Sequence, residues 1–363
     1  MNTRPTAAMP TPRPRIAALP VYSRAAGSAS VRWRASSNES TVAPSPAIRA
    51  AVARAAAHAH LYPSLAGDDL IAAISERMGV HEDQVVVGGG SLALLQLALT
   101  AFTGPGTEVI HAWRSYEAYP ILIGIADAQA VPVALDHEYR HDSQAMLAAL
   151  TPQTSAMLIC DPNNPTGTAL PPQRLRALLD AVPSHVLVLL DRAYQEFDQT
   201  EPDVAALVAE RPNVIVFRTF SKAYGLAGLR AGYAIGSPEV MRVVRATAPP
   251  FGLSAVAEAA ALAAWSDREH TRHIVNTVTE CRETFRQALG DRGLFTPDSR
   301  ANFVWLPVGD RAEALQAACV RRGVSVRAFA GEGVRVTVGC PEAEAAVLAA
   351  VDESSLRAAS AAE

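Results

Sequence analysis

The chain has 363 residues, with 32 basic and 36 acidic side chains and a formal net charge of −4, a balance that lacks the basic footprint of a nucleic-acid-binding protein. Its length predicts one large and one smaller domain, at roughly 150 residues per domain. No apolar run is long and uninterrupted enough to span a bilayer, and four scattered cysteines without a CxxC pair (Cys160, Cys281, Cys319, Cys340) point to reduced thiols in the cytoplasm.

Residues 1–36 open with a stretch rich in Pro, Arg and Thr that has no hydrophobic segment of the secretory kind, and they are expected to form a disordered leader and N-terminal arm. Residues 37–250 alternate strands with helices. Helices are predicted over 47–58 and 68–78, the second opened by Asp68 as an acidic cap. A short apolar strand, 84–87, runs into Gly88-Gly89-Gly90-Ser91 and a helix over 92–102. Further apolar strands are predicted at 108–111, 130–134, 156–160, 186–190, 213–217 and 233–235, with helices at 116–126, 172–181 and 204–210 between them. Continuous apolar strands separated by helices specify an α/β fold whose mainly parallel sheet is covered on both faces. Ligands of such sheets collect at the C-terminal ends of the strands. Past Pro249-Pro250-Phe251-Gly252 the pattern changes to a helical run over 254–289. It leads into strands at 302–306, 324–326 and 334–338, with helices at 311–321 and 342–351. Residues 251–353 therefore predict a smaller α+β domain, and 354–363 a frayed tail.

The chemistry-bearing segments sit at strand ends. Gly88-Gly89-Gly90-Ser91 joins a strand to a helix, so backbone amides and the helix dipole suit an anion. Gly88-x-Gly90-x-x-Ala93 also fits a loose dinucleotide fingerprint, but that reading needs an acid after the next strand, which ends His111-Ala112-Trp113. Tyr116 is a candidate to stack on a flat cofactor ring, or equally a core aromatic. Asp161-Pro162-Asn163-Asn164-Pro165-Thr166-Gly167 is a rigid turn; it is explained by turn chemistry alone, or by Asn164 projecting an amide that holds a phenolic oxygen. Asp191 ends the most apolar strand. A carboxylate there is a helix cap, or needs a positive partner such as a protonated pyridine nitrogen. Tyr194 stands three residues on.

Thr219-Phe220-Ser221-Lys222 carries the strongest signal. Lysine becomes nucleophilic when a pocket desolvates it or a cation lies nearby. The hydroxyls of Thr219 and Ser221, with Arg230 eight positions after the lysine, describe a phosphate seat. A reactive amine beside a phosphate seat is what pyridoxal 5'-phosphate requires. The histidine pairs His58-x-His60 and His270-x-x-His273 have no third ligand nearby, so no metal is expected.

In order, these segments resemble the fold-type I pyridoxal-phosphate aminotransferases, and within them the histidinol-phosphate aminotransferase family, over roughly residues 30 to 350. Ser36-Ser37-Asn38-Glu39, Leu61-Tyr62-Pro63 and Ser299-x-x-Asn302-Phe303 agree as well. The wording of residues 112–120 and Pro250-Phe251-Gly252 is similar to the actinobacterial aromatic aminotransferases. The resemblance implies a homodimer acting on an amino acid and a 2-oxo acid, with an aromatic acceptor such as phenylpyruvate, or with imidazole acetol phosphate. It implies that Lys222 bonds to the cofactor and then moves a proton to and from substrate Cα. Asp191 would pair with the pyridine nitrogen, Asn164 and Tyr194 would hold the ring oxygen, and Tyr116 would stack on the ring. Gly90, Ser91, Thr219, Ser221 and Arg230 would hold the phosphate, with Tyr62 reaching the neighbouring subunit's site. Arg335 and Asn38 would meet the substrate. Three departures stand out: Ser40-Thr41-Val42 in place of Asn-Pro-Tyr, Arg192 in place of a glutamate, and Leu92-Ala93 in place of an acidic pair. They leave the core chemistry untouched but make the substrate pocket depart from that of the histidinol-phosphate enzymes. The same core residues would also support a related decarboxylase or oxidase. A sensor without catalysis is also conceivable on this fold, but the chain has no added DNA-binding module and retains the lysine.

Overall fold

A computed structural model describes residues 10–21, 31–198, 200 and 203–353. Its strands, in chain order, are β1 (Trp33–Arg34), β2 (Val85–Gly88), β3 (Glu108–Trp113), β4 (Gln129–Ala134), β5 (Thr154–Cys160), β6 (Leu187–Asp191), β7 (Val214–Thr219), β8 (Gly232–Ile235), β9 (Phe303–Leu306), β10 (Val324–Ser325), β11 (Arg327–Phe329) and β12 (Gly333–Thr337). Seven of them form one sheet in the order β2-β8-β7-β6-β5-β3-β4. β8 runs antiparallel to both its neighbours, and the remaining pairs are parallel.

The apolar runs explain this sheet. β6 and β7 are buried at every position. Because successive side chains leave opposite faces, Val188, Leu190, Val214 and Val216 enter one core while Leu187, Leu189, Ile215 and Phe217 enter another on the opposite face. A strand apolar on both faces is stable only between two helical layers, so no alternation of polar residues is visible in these segments.

A third core gathers β9, β12 and the helices Arg268–Gly290, Ala312–Arg321 and Pro341–Glu353. Here β11, β12 and β9 form a three-stranded antiparallel sheet. β1 pairs in parallel with β10, and Ala35 enters this core, so residues 33–35 pack with the C-terminal elements.

Several elements differ from expectation for local reasons. The run predicted as one helix over 254–289 is two, Ala255–Ser266 and Arg268–Gly290. Asp267 divides them: its carboxylate accepts from the His270 amide (3.1 Å) and from the Ser45 hydroxyl (2.7 Å), which starts a new helix. Asp68 is the first helical residue rather than the cap. Gly67, at φ 80°, takes the cap position, and Ser64 Oγ accepts from the amides of residues 67 and 68. The helix predicted from residue 116 begins at Tyr119. A helix at Pro238–Thr247 was not foreseen.

Of the leader expected to be disordered, residues 1–9 and 22–30 lie outside the described residues, as does the tail, 354–363. Residues 10–21 differ from that expectation. They include the helix Pro14–Ala17, Arg13 and Arg15 donate to the carbonyls of Ile125 and Ala128, and Leu19 sits against Gly124.

Candidate functional site

A cavity of about 690 Å³ opens at the C-terminal ends of β5, β6 and β7 and is roofed by β11 and β12. All the candidate residues line it except Gly90, which abuts Arg230, and Tyr62. β6 and β7 are parallel neighbours, so Asp191 and Thr219 emerge at the same edge, and the turn after β7 brings Lys222 over them.

Lys222 is half-buried, with its amine facing the cavity. Nζ donates to the carbonyls of Asn38 (3.0 Å) and Ser37 (3.3 Å) and lies 5.8 Å from the Tyr194 ring centre. Desolvation, then the Arg335 and Arg230 charges, lower its pKa to about 7, against the opposing pull of Glu39 and Asp191. Carbonyls accept from the amine without supplying a countercharge. The lysine is therefore an ammonium and a free amine in comparable amounts near neutrality.

Asp191 is 4% exposed. The Tyr119 hydroxyl donates to Oδ2 at 2.8 Å and the Ala193 amide to Oδ1 at 3.1 Å. Burial pushes its pKa up to about 6, although both hydrogen bonds and the Lys222 charge pull it down. A carboxylate so enclosed, held by a hydroxyl and an amide, is set to accept a cationic N–H from the cavity. It is not a helix cap.

The turn after β5 places Asn164 beside β12, where its Oδ1 accepts from Arg335 at 2.6 Å. Arg335 also donates to the Ser36 carbonyl at 2.6 Å. The Tyr194 hydroxyl accepts from Asn38 Nδ2 at 3.0 Å, so its own proton remains to be donated elsewhere. Asn38 has φ 54°, an unusual left-handed conformation for a non-glycine residue. It is held there by Thr337, which accepts from its amide (2.9 Å) and donates to its Oδ1 (3.1 Å), and by Asn302, which donates to its carbonyl (3.1 Å). Tyr116 meets Tyr119 edge-on, ring centres 5.5 Å apart.

The other end of the cavity is built for an anion. Ser91 is the first residue of the helix Ser91–Phe102, with Gly90 at its cap. Gly90 has φ 95°, and a Cβ there would stand 2.8 Å from Arg230 Nη2, so only glycine lets the arginine close on the turn. Arg230, itself at φ 55°, donates to Ser221 Oγ at 3.2 Å, and Thr219 Oγ1 donates to the same hydroxyl at 3.0 Å. Two hydroxyls, a guanidinium and a helix N-terminus converge there.

Tyr62 stands apart from this cavity. It is 83% exposed and stacked on Phe251, ring centres 4.7 Å apart. Sequence reasoning missed Tyr119, the donor to Asp191, and Arg327, which lines the cavity and is bonded to Glu117. Of the departures noted in the sequence, Arg192 turns away from the cavity into a buried ion pair with Asp161. Thr41 donates to the Gly339 carbonyl, and Leu92 lines the cavity.

A buried acid that lacks a contacting cation, an amine with lowered pKa and an anion seat fit the three functional groups of pyridoxal 5'-phosphate: ring nitrogen, aldehyde and phosphate. Comparison with known proteins agrees. An aromatic amino acid aminotransferase of Thermobifida fusca is 48% identical over 310 residues, 85% of this chain and 86% of that protein. One of Streptomyces coelicolor is 45% identical over 339 residues, 92% and 94% of the two chains. The crystal structure of histidinol-phosphate aminotransferase from Sinorhizobium meliloti in complex with pyridoxal-5'-phosphate matches with a TM-score of 0.87 at 27% identity, covering 96% of this chain and 99% of that one. Residues 35–351 match the family of class I and II aminotransferases, and with its lysine, acid and anion seat in one cavity the chain belongs to that family.

Proposed function

We propose that this aminotransferase works with pyridoxal 5'-phosphate and exchanges amino groups between aromatic amino acids and 2-oxo acids, as a cytoplasmic homodimer. The observation that carries the reading is the meeting in one cavity of Lys222, Asp191 and Arg335. The aromatic preference is supported by the names of relatives up to 48% identical. Bound there, pyridoxal phosphate supplies an aldehyde that takes up the amino group and a ring that withdraws electrons from the bond being broken.

The residues divide the remaining work. Arg230, Ser221, Thr219, Ser91 and the Gly90 turn hold the phosphate. Asp191, a buried carboxyl held by the Tyr119 hydroxyl and the Ala193 amide, would pair with the ring nitrogen and favour its protonated form. Tyr194 would donate a hydrogen bond to the ring oxygen beside Asn164, and Tyr116 would pack against the ring. Arg335 takes the substrate carboxylate, with Asn38 beside it. The Lys222 amine, whose basicity is lowered by desolvation and by the Arg335 and Arg230 charges, would accept a proton from substrate Cα and return it.

Leu61, Tyr62 and Leu65 are 62%, 83% and 62% exposed beside Phe251, an apolar strip that supports a homodimer in which Tyr62 reaches the partner's cavity. Among the described residues no helix is long and apolar enough to cross a membrane, and the four cysteines form no disulfide, which supports a reducing compartment.

The test supplies phenylalanine, tyrosine or tryptophan with 2-oxoglutarate to the cofactor-loaded enzyme. The expected result is an aromatic 2-oxo acid formed one-for-one with glutamate. Release of carbon dioxide or peroxide without glutamate rejects transamination in favour of decarboxylation or oxidation.

A further inference from the structure

Two arginines enter the cavity from neighbouring strands. Arg327 of β11 and Arg335 of β12 are direct partners in the antiparallel register, and both line the cavity. Directly opposed residues leave the same face of a sheet, with Cβ atoms about 5 Å apart. Their partners differ. Arg335 donates to neutral oxygens, those of Asn164 and Ser36. Arg327 grips a carboxylate with two donors: Nε to Glu117 Oε2 at 3.1 Å and Nη2 to Oε1 at 2.8 Å. The pair is largely shielded, the side chains being 13% and 25% exposed, so salt screens it weakly.

Glu117 is fixed in position as well as paired. Three residues earlier, Arg114 is ion-paired with Glu332, in the turn between β11 and β12. The segment 114–117 and the β11–β12 hairpin are thus joined by two ion pairs of opposite polarity, one on each side of Tyr116.

We propose that Glu117 is a specificity-determining residue: by occupying Arg327 it makes this site choose acceptors with a carboxylate beside the keto carbon over acceptors bearing a phosphate monoester on that side. The proposal rests on the aminotransferase reading above and deepens it. Two adjacent guanidinium groups carry two positive charges, which match a dianionic phosphate. With Glu117 bonded to Arg327 the three groups sum to one positive charge, which matches a carboxylate. A phosphate would place its second negative charge against the Glu117 carboxylate and would lose a bidentate guanidinium contact. Aromatic 2-oxo acids, each with a single carboxylate, meet neither penalty.

The cofactor-loaded enzyme is assayed with glutamate as donor and either phenylpyruvate or imidazole acetol phosphate as acceptor. Glu117→Gln is expected to shift the ratio of the two kcat/KM values at least tenfold toward the phosphate acceptor. Adding Arg327→Met to that variant is expected to abolish the shift, since the freed guanidinium is its cause. A ratio that does not move toward the phosphate, or a shift that survives Arg327→Met, overturns the proposal. If Glu117→Gln turns over too slowly, Glu117→Ala serves in its place. Titrating either loaded variant with inorganic phosphate in a calorimeter reads the same effect: tighter binding than wild type supports the proposal, and equal or weaker binding overturns it. Wild-type enzyme that aminates neither acceptor refutes the aminotransferase reading instead, and this control separates the two failures.

Discussion

The ionisation of Asp191 is set by its surroundings. Its pKa is raised to about 6 by burial, and the Tyr119 hydrogen bond opposes that rise. Removing the hydroxyl therefore raises the pKa further. A hydrogen bond to a charged group is worth about 1.5–3 kcal/mol, which corresponds to about one to two pH units. Tyr119→Phe is expected to move the titration of the Asp191 carboxyl in the cofactor-free protein up by about one unit while the protein stays folded, read by NMR; a carboxyl that titrates as in the wild type removes Tyr119 from the machinery. The same burial makes Asp191 a cost to the cofactor-free protein. A carboxyl whose folded pKa exceeds its unfolded value of 3.8 favours folding below that pH and loses the contribution as pH rises through about 6. Asp191→Asn is thus expected to raise the melting temperature of the cofactor-free protein at pH 8 and to weaken cofactor binding, checked by thermal melts and equilibrium titration. Lys222 and Asp191 were legible in the sequence because Asp191 ends an apolar strand and Lys222 lies in the turn just after another, where a polar group is conspicuous. Tyr119 and Glu117 were not, because their partners lie 72 and 210 positions away and only the fold reveals them.

At the scale of elements, the proposed phosphate seat depends on how closely β8 approaches the turn after β2. Gly232 faces Gly88 in the antiparallel register, and a Cβ on Gly232 would stand 2.5 Å from the Ser91 amide nitrogen and 2.7 Å from the Gly90 carbonyl carbon. Those are backbone atoms, which have no alternative rotamer. Gly232→Ala is expected to destabilise the protein by about 1–3 kcal/mol, as overpacking does, and to weaken cofactor affinity along with it. A denaturant midpoint equal to wild type would show that the turn yields. β11, three residues opening on Arg327, was missed, whereas the strands of the seven-stranded sheet were readable because continuous apolar runs of this length have few other solutions. Helix boundaries were less so: the break at Asp267 depends on Ser45, 222 positions away, and the start at Tyr119 follows an irregular segment built around the cavity. The pairing of β1 with β10 was invisible, since two residues carry no periodicity.

At the scale of the whole molecule, Tyr62 was singled out only through resemblance, and the apolar strip it forms with Leu61 and Leu65 was not legible at all, because exposure is a property of the folded surface. That strip is the surface through which the proposed homodimer would form. Leu65 is 62% exposed and also borders a groove formed with Pro249, Pro250 and Leu253, so a second copy would bury a continuous apolar surface there. A charge at its centre would be stranded in that interface, unpaired and desolvated. Light scattering is expected to give twice the chain mass for the wild type and the single-chain mass for Leu65→Asp at micromolar concentration. Because Tyr62 is assigned to the partner's cavity, the same substitution is expected to weaken cofactor binding without touching any residue of its own cavity. A Leu65→Asp protein that stays dimeric places the interface elsewhere, and a monomer that binds the cofactor as tightly as wild type shows that each cavity is self-sufficient.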